Sequence, residues 1–453
     1  MAFLILSKKK DDTIDIMITK SNDAKVAFYT LGCKLNYSET STIGSQFLDK
    51  GFNIVDFNEQ ADIYVINTCS VTENTEKECR QIVRRALRNN PDAFIAVTGC
   101  YAQLRPEEIG KIDGVDVILG SNEKFKIFEL IEDFGKKELS CIYVSPTDEL
   151  TDVYAASSTD ADSRTRAFLK VQDGCDYKCS FCTIPLARGK SRSLPPETVL
   201  TIFRKLISEG YKEIILTGVN VGDYGKAINT NLYELLLLLV NEPGEFRLRI
   251  SSIEPNLLSD EILDLAASNK KICNHFHIPL QSGSPKILKL MQRRYNSSFY
   301  KNLIEKVTNE IPDVGIGVDV IVGFPGESGQ DFLDTYNFLK DLPISYLHVF
   351  TYSERPDTKA INMDGVVEHS ERKKRNTMLR ILSEKKRHEF YNKMKGKTLE
   401  ILFEHEEHSG YMKGFASNYV RVQNKYDTAL VNQFTGICIN SVGDNICTGS
   451  LAE

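Results

Sequence analysis

The sequence predicts an α/β protein in three parts: a flavodoxin-like open parallel sheet, a partial (βα)6 TIM-like barrel, and a small β-barrel in the size range of OB-like folds. Three observations lead there. From Lys25 onward, short apolar runs alternate with helix-length stretches, the pattern of parallel strands joined by helical crossovers. After a polar interval the alternation resumes with six strand-like runs whose ends are rich in glycine and polar residues. Beyond Gly396 the helices stop and short strands with turn signals take over. A chain of 453 residues is also too long for one ordinary core. The expected division is an N-terminal extension (1–24), a first α/β domain (25–140), a linker (141–163), the barrel (164–395) and the tail domain (396–453).

Residues 1–24 are polar, without sustained periodicity, and receive no role. In the first domain the expected strands are Val26–Leu31, Ile63–Ile66, Phe94–Val97 and Val115–Leu119. Helices are expected over Glu39–Leu48 and over a basic stretch from Thr75 to Arg88. Three of these strands run into cysteine, as Leu31-Gly32-Cys33, Asn67-Thr68-Cys69 and Thr98-Gly99-Cys100. Ligands of open α/β sheets bind at the carboxyl ends of the strands, so three thiols far apart in sequence can converge there. Three unconnected buried cysteines are the simpler alternative. From Pro146 to Arg166 the chain is rich in Ser, Thr, Asp and Ala, which suits a linker.

The barrel strands are expected at 168–172, 213–217, 247–251, 275–278, 317–322 and 346–350. Immediately after the first lies Cys175-Asp176-Tyr177-Lys178-Cys179-Ser180-Phe181-Cys182, a C-x3-C-x2-C loop. Thiolates ligate iron–sulfur clusters, and a four-iron cluster held by three of them keeps one iron open. Zinc is the competing reading, but it prefers four ligands in paired units and no second pair follows nearby. Phe181 is either part of this site or plain core. At the next four strand ends stand Thr217-Gly218-Val219-Asn220, Ser251-Ser252-Ile253-Glu254, Gln281-Ser282-Gly283-Ser284 and Gly323-Phe324-Pro325-Gly326-Glu327. Each alone is a turn; four in succession beside a cysteine loop read as a cofactor rim made by Gly218, Asn220, Ser252, Glu254, Gln281, Gly323 and Phe324.

In the tail, strands are expected at Leu399–Phe403, Tyr411–Phe415, Tyr419–Val422 and Phe434–Asn440. Tyr411, Lys413 and Phe415 alternate onto one face, as do Tyr419 and Arg421, a combination able to stack bases and neutralise phosphates. Before the tail, residues 368–397 carry eleven Lys or Arg against four Glu. Such a run is either a phosphate-binding surface or a solvated helix face.

Composition limits the function classes. A hydrophobic fraction of 42% and a charged fraction of 26% belong to globular proteins, and no apolar run reaches the length of a membrane span. The N-terminus lacks a signal-peptide core, so the expected location is cytoplasmic. Eleven cysteines, an odd number, argue for metal or redox use over a disulfide framework. Cys79, Cys141, Cys273, Cys438 and Cys447 receive no role. A formal charge of -6 requires any nucleic-acid surface to be local.

The octet Cys175–Cys182 resembles the signature of the radical S-adenosylmethionine (SAM) enzymes. With the strand-end cysteines, Ala187-Arg188-Gly189, Gln281–Ser284 and Val322–Glu327, the chain after residue 24 resembles the methylthiotransferases. That resemblance implies two [4Fe-4S] clusters, one on Cys175, Cys179 and Cys182 and an auxiliary one on Cys33, Cys69 and Cys100. These six cysteines are then the catalytic and metal residues, Phe181 and the rim bind SAM, and the tail is a TRAM domain. Gly32-Cys33-Lys34-Leu35-Asn36, with Glu39, resembles the bacterial enzymes that convert N6-threonylcarbamoyladenosine at position 37 of tRNA to its 2-methylthio form. Isopentenyladenosine in tRNA and ribosomal protein S12 are the alternative substrates, and a non-catalytic iron–sulfur RNA-binding or sensor protein is the alternative class. The implied chemistry uses one SAM as methyl donor to a cluster sulfur and a second as the source of a 5′-deoxyadenosyl radical that attacks C2. Implied partners are the tRNA anticodon stem-loop, a one-electron reductant such as flavodoxin or ferredoxin, and a sulfur source. The protein is expected to act as a monomer without a membrane. Lys34 is the candidate partner for the threonyl carboxylate.

Overall fold

A computed structural model describes residues 24–69, 75–151, 153–159 and 165–452. All of the N-terminal extension except Ala24 lies outside them. The first domain is a six-stranded parallel sheet, β1 (Lys25–Thr30), β2 (Asn53–Val55), β3 (Ile63–Thr68), β4 (Phe94–Gly99), β5 (Val117–Leu119) and β6 (Cys141–Tyr143), in the order β2-β1-β3-β4-β5-β6. The β-branched residues of β3 are buried on both faces, as a parallel sheet covered by helices requires. Val65 and Ile63 pack with Ile43 and Phe47 of helix Lys34–Asp49. Tyr64 and Ile66 pack on the other face with Val83 and Ala86 of helix Thr75–Asn89. Strand order reverses between β1 and β3, and the three cysteines follow β1, β3 and β4, which are adjacent in the sheet.

The interval read as a linker contributes a strand to each neighbour. Strand β6 extends the first sheet, pairing Cys141 with Val117. Strand β7 (Ala156–Thr159) pairs antiparallel with the first barrel strand, β8 (Arg166–Lys170). Next comes a short ribbon of β9 (Gln172–Asp173) with β10 (Arg192–Ser193). Strands β11 (Glu213–Thr217) and β12 (Arg247–Ile250) continue beside β8, while β13 (His275–His277), β14 (Gly315–Val322) and β15 (Tyr346–Thr351) form a second parallel group. Single bridges, Leu248 to Ile272 and Ser252 to His277, join the two groups into a six-stranded partial barrel. Its outer residues, such as Leu169, Leu216, Ile250, Val318 and Leu347, pack beneath the helices. Alternation therefore turns Phe168, Lys170, Glu213, Arg249, His275, His277, Asp319, Tyr346 and His348 toward the lumen.

The tail strands β16 (Thr398–His408), β17 (Tyr411–Ala416), β18 (Arg421–Lys425), β19 (Phe434–Val442) and β20 (Cys447–Leu451) close into a barrel. Its Phe415–Tyr419 corner docks at the amino ends of the large barrel's strands. Arg247 donates to Phe415 O and Arg249 to Ala416 O and Ser417 O, and both arginines pair with the buried Glu213 carboxylate. Tyr419 stacks on His275 at 4.6 Å and closes the lumen from below.

The long helix His369–Asn392 corrects one expectation about the basic run. Arg372 pairs with Glu354 and Arg375 with Glu327, while Lys386 donates to Lys340 O and Leu342 O, so these three cations are buried anchors. Lys373, Lys374, Arg380 and Lys385 are exposed.

The first domain meets the barrel through a buried ionic network. Glu39 accepts from Lys124 at 2.6 Å, Lys170 at 2.8 Å and Arg188 at 2.9 Å. Lys170 and Arg188 also reach Asp173, and Arg188 donates to Asn36 Oδ1. Desolvation alone would raise the pKa of Glu39, but the three cations hold it well below the usual carboxylate range, and Asp173 is lowered likewise. Replacing Glu39 by Gln leaves three buried cations facing one carboxylate and is expected to cost about 3–5 kcal/mol in urea denaturation. The pH dependence follows in sign. Glu39, Asp173 and Glu213 have depressed pKa values in the folded state, so their contribution is complete above the unfolded values of about 4 and lost as pH falls toward the folded values. Stability should therefore stay flat from about pH 6 down to 5 and drop below about pH 4.

Candidate active site

The C-x3-C-x2-C loop is built by backbone contacts. Gly174 has φ +71°, and a Cβ there would stand 1.9 Å from Lys190 O, so only glycine lets the chain turn into the loop. Cys175 N–H donates to Gly189 O, Ser180 N–H to Met291 O, and Ala360 N–H to Ser180 O. Burial pushes the Cys175 thiol up to about 12 and Cys182 to about 11, and Cys179 is raised for the same reason. At neutral pH such thiols ionise only when a metal replaces the proton. Arg293 donates to Cys179 Sγ at 3.1 Å and pairs with Glu254, connecting the cysteine loop to the rim. Sequence reading missed Arg293; its one signal is the arginine pair Arg293-Arg294 following the Gln281–Ser284 turn.

The second triad sits on the switch point of the first sheet. Gly32 has φ +100°, and a Cβ there would lie 2.6 Å from Cys69 Sγ; the glycine lets two cysteine loops touch. Asn36 donates to Leu31 O and Thr68 O, and Asn67 donates back to Asn36 O, so the loops after β1 and β3 are tied together. Cys33 lies close enough to Cys100 to oppose its ionisation, and Arg188 close enough to favour it; burial dominates and raises Cys100. Arg355 is half-buried; burial lowers its pKa, and Cys182 of one triad and Cys69 of the other both act against that shift.

Among the described residues, the one set of three metal-ligating groups gathered within 4.8 Å is His277, Asp319 and His348. Neither cysteine triad is that tight. A lone zinc with Zn–S bonds of about 2.3 Å would draw its sulfurs to about 3.8 Å, whereas a four-iron cluster takes one thiolate on each of three separate irons and needs no such convergence.

The expected rim is distributed as follows. Glu254 meets Arg293, and Ser252 bridges to His277, so both lie at the barrel mouth. Asn220 N–H donates to Gln172, its Nδ2 to Asp223, and its buried Oδ1 has no protein partner. Gln281 has φ +70° and likewise leaves a buried Oε1 without a partner. Two buried acceptors, after β11 and after β13 on the same end of the barrel, are what a ligand bearing amino and hydroxyl donors requires. Gly218 is pressed against Gln172 and Gly323 against Arg372, where a Cβ would come within 2.7 and 2.3 Å of those side chains. Phe324 is entirely buried with Tyr352 and Ile287, and Phe181 packs edge-on against it at 6.4 Å. These last residues support the cysteine loop from behind.

A cleft of about 570 Å³ opens between barrel and tail, lined by Arg166, His348, Arg387, Phe415, Tyr419 and Arg421 among others. Phe415 stacks on Tyr419 at 4.7 Å, with Arg421 over its ring at 4.2 Å. His348 belongs to both cleft and lumen, so the two are continuous. Lys34, beside Cys33, stands over the Phe168 ring at 5.7 Å.

Comparison with known proteins places this geometry. Residues 169–339 match the radical SAM superfamily and residues 25–120 match an uncharacterized protein family, UPF0004. The chain is 40% identical over 431 residues to the threonylcarbamoyladenosine tRNA methylthiotransferase MtaB of Bacillus subtilis, covering 93% of this chain and 94% of that protein. It is 35% identical over 420 residues to the MtaB of Thermotoga maritima, with coverage of 92% and 95%. A tRNA-2-methylthio-N(6)-dimethylallyladenosine synthase of Fusobacterium nucleatum is 33% identical over 426 residues, with coverage of 92% and 97%. Among solved structures, the radical SAM methyltransferase TsrM of Kitasatospora setae shares the fold at a TM-score of 0.54 and 15% identity, over 75% of this chain and 77% of that one. Radical SAM membership implies SAM and a four-iron cluster, which the spacing of Cys175, Cys179 and Cys182 fits. By sequence, domain content and site geometry, the chain belongs to the radical SAM methylthiotransferases.

Proposed function

We propose that the protein attaches a methylthio group to C2 of N6-threonylcarbamoyladenosine at position 37 of tRNA. The observation that carries this reading is the pair of cysteine triads, one in the loop after the first barrel strand and one at adjacent strand ends of the sheet docked to it, in a molecule that also offers an aromatic, basic cleft. Cys175, Cys179 and Cys182 would hold one [4Fe-4S] cluster, and Cys33, Cys69 and Cys100 would hold an auxiliary one. When bound, these groups supply the radical and sulfur chemistry that an unactivated aromatic C–H demands and no side chain provides. The chain's own work is binding and orientation. Glu254, Ser252, Asn220 and Gln281 receive the amino, carboxylate and ribose groups of SAM, with Arg293 fixing Glu254 against the cysteine loop. Phe181, Phe324, Gly218 and Gly323 shape that pocket through packing.

The cleft offers Tyr419, Phe415, Arg421 and Arg387 to an anticodon loop, where a base can be splayed out of a single strand. Lys34 over Phe168 favours threonylcarbamoyl over isopentenyl, because only the former carries an anion. The relatives named for threonylcarbamoyladenosine point the same way. The reaction requires a one-electron reductant of the flavodoxin or ferredoxin type and a sulfur source, and is assigned to a cytoplasmic monomer. Among the described residues, no helix is long and apolar enough to cross a membrane.

Anaerobic reconstitution should load about eight irons per chain, and Cys179→Ala about four. Under dithionite the wild type should release 5′-deoxyadenosine from SAM, Cys179→Ala none, and Cys69→Ala should release it without transferring sulfur. Wild type that is fully loaded yet makes none would leave a binding or sensor protein. Mass spectrometry of tRNA nucleosides from a strain lacking the gene should show the methylthio group missing only from threonylcarbamoyladenosine. Loss only from isopentenyladenosine, or intact tRNA with unmodified ribosomal protein S12, would refute that substrate. Replacing Lys385, Arg387 and Arg421 by Gln should weaken tRNA binding and reduce the slope of log K against log salt by about 0.7–0.9 for each phosphate no longer neutralised; an unchanged slope puts the RNA elsewhere.

A further inference from the structure

Above Tyr419, three neighbouring strands each place one polar side chain in the lumen: His277 on β13, Asp319 on β14 and His348 on β15. His277 Nε2 lies 2.9 Å and His348 Nδ1 3.3 Å from the same oxygen, Asp319 Oδ1. The imidazoles stand 5.1 Å apart, centre to centre. All three side chains remain partly open, His348 the most at 52%. Across the barrel opening, Lys34 stands over Phe168, and it lies near enough to His275 for its charge to be felt there, as does that of His277. The cluster thus faces the lumen, and His348 also lines the cleft.

Mutual hydrogen bonding uses one nitrogen of each imidazole and one oxygen of the carboxylate. His277 Nδ1, His348 Nε2, Asp319 Oδ2 and the Lys34 ammonium are left to meet a ligand. That set combines a full positive charge, two imidazole groups and an acceptor. It matches a group carrying a carboxylate, a hydroxyl and an amide together. It does not match an alkyl chain, which would displace water from all four and replace none of its hydrogen bonds. Two histidines and a carboxylate are also a known metal-ligand set. Here, however, the facing nitrogens are engaged with Asp319, and an ammonium shares the same lumen.

We propose that His277, Asp319, His348 and Lys34 form the pocket that recognises the threonylcarbamoyl group of the target adenosine. This rests on the function proposed above and adds the residues that read the substrate. Lys34 takes the carboxylate, while the imidazoles and Asp319 Oδ2 take the hydroxyl and carbamoyl groups. A site built to hydrogen-bond its substrate rejects an analogue lacking those groups far more strongly than an apolar pocket rejects an extra atom.

The test uses full-length, anaerobically reconstituted enzyme and anticodon stem-loop RNAs bearing threonylcarbamoyladenosine, its methyl ester, isopentenyladenosine or adenosine at the target position. Wild type should prefer the threonylcarbamoyl RNA over the isopentenyl RNA by about 100-fold or more in kcat/KM. The methyl ester should lose about tenfold, a measurement that needs no protein variant. His348→Phe should lower the preference about tenfold or more, mainly through KM, and His348→Gln should recover most of it. Equal turnover of acid and ester, or a His348→Phe protein with wild-type iron whose preference moves less than about twofold, would overturn the assignment while leaving the function standing. A stoichiometric extra metal, absent from Asp319→Asn with the cluster iron retained, would overturn it in favour of a metal site. Wild type that modifies isopentenyl RNA alone, or neither RNA, would bring down the proposed function and this assignment with it.

Discussion

Everything in this molecule depends on the Glu39 carboxylate being held where two domains meet. Three cations and a second carboxylate are buried around it, contributed by residues separated by as many as 149 positions along the chain. Burial of so many charges is unfavourable unless the partners are all present and correctly placed, so the network specifies one docking geometry more than it adds stability. Its position makes that specificity useful. Asn36, which ties the loops after β1 and β3 together, accepts from the same Arg188 that lies near Cys100. A shift between the domains would therefore break the network and separate the two triads at once.

The tail is attached by the same device at the other end of the barrel. Glu213 gathers Arg247 and Arg249, and these arginines donate to carbonyls of the Phe415–Tyr419 corner. Charged residues thus fill a barrel interior that apolar layers commonly occupy. Polar groups thus line much of the lumen beside apolar ones such as Phe168, compatible with admitting a polar nucleoside.

Much of this was legible in the sequence. Buried strands such as Ile63–Thr68 and Gly315–Val322 declared themselves as β-branched runs, and the cysteine loop by spacing that few other sites share. What escaped has common causes. Edge strands Asn53–Val55 and Cys141–Tyr143 are three residues long and half exposed, too short for any periodicity. The basic run of residues 368–397 gave the right net charge but the wrong picture of its surface, since a sum of charges does not say which face Arg372, Arg375 and Lys386 occupy. Arg293, Arg355 and the His277, Asp319 and His348 group lie on separate strands and loops, and only the barrel's closure brings them to the site. Asn36 and Glu39 were readable as motif residues without their role, which appears only when Arg188 arrives from the other domain.

The seal made by Tyr419 has a further consequence. With its lower end covered by the tail corner, the barrel keeps its cysteine-bearing mouth and the lateral cleft as openings among the described residues. A bulky guest seated in the cleft closes that opening for as long as it remains in place, and smaller molecules are left the mouth beside the cysteines.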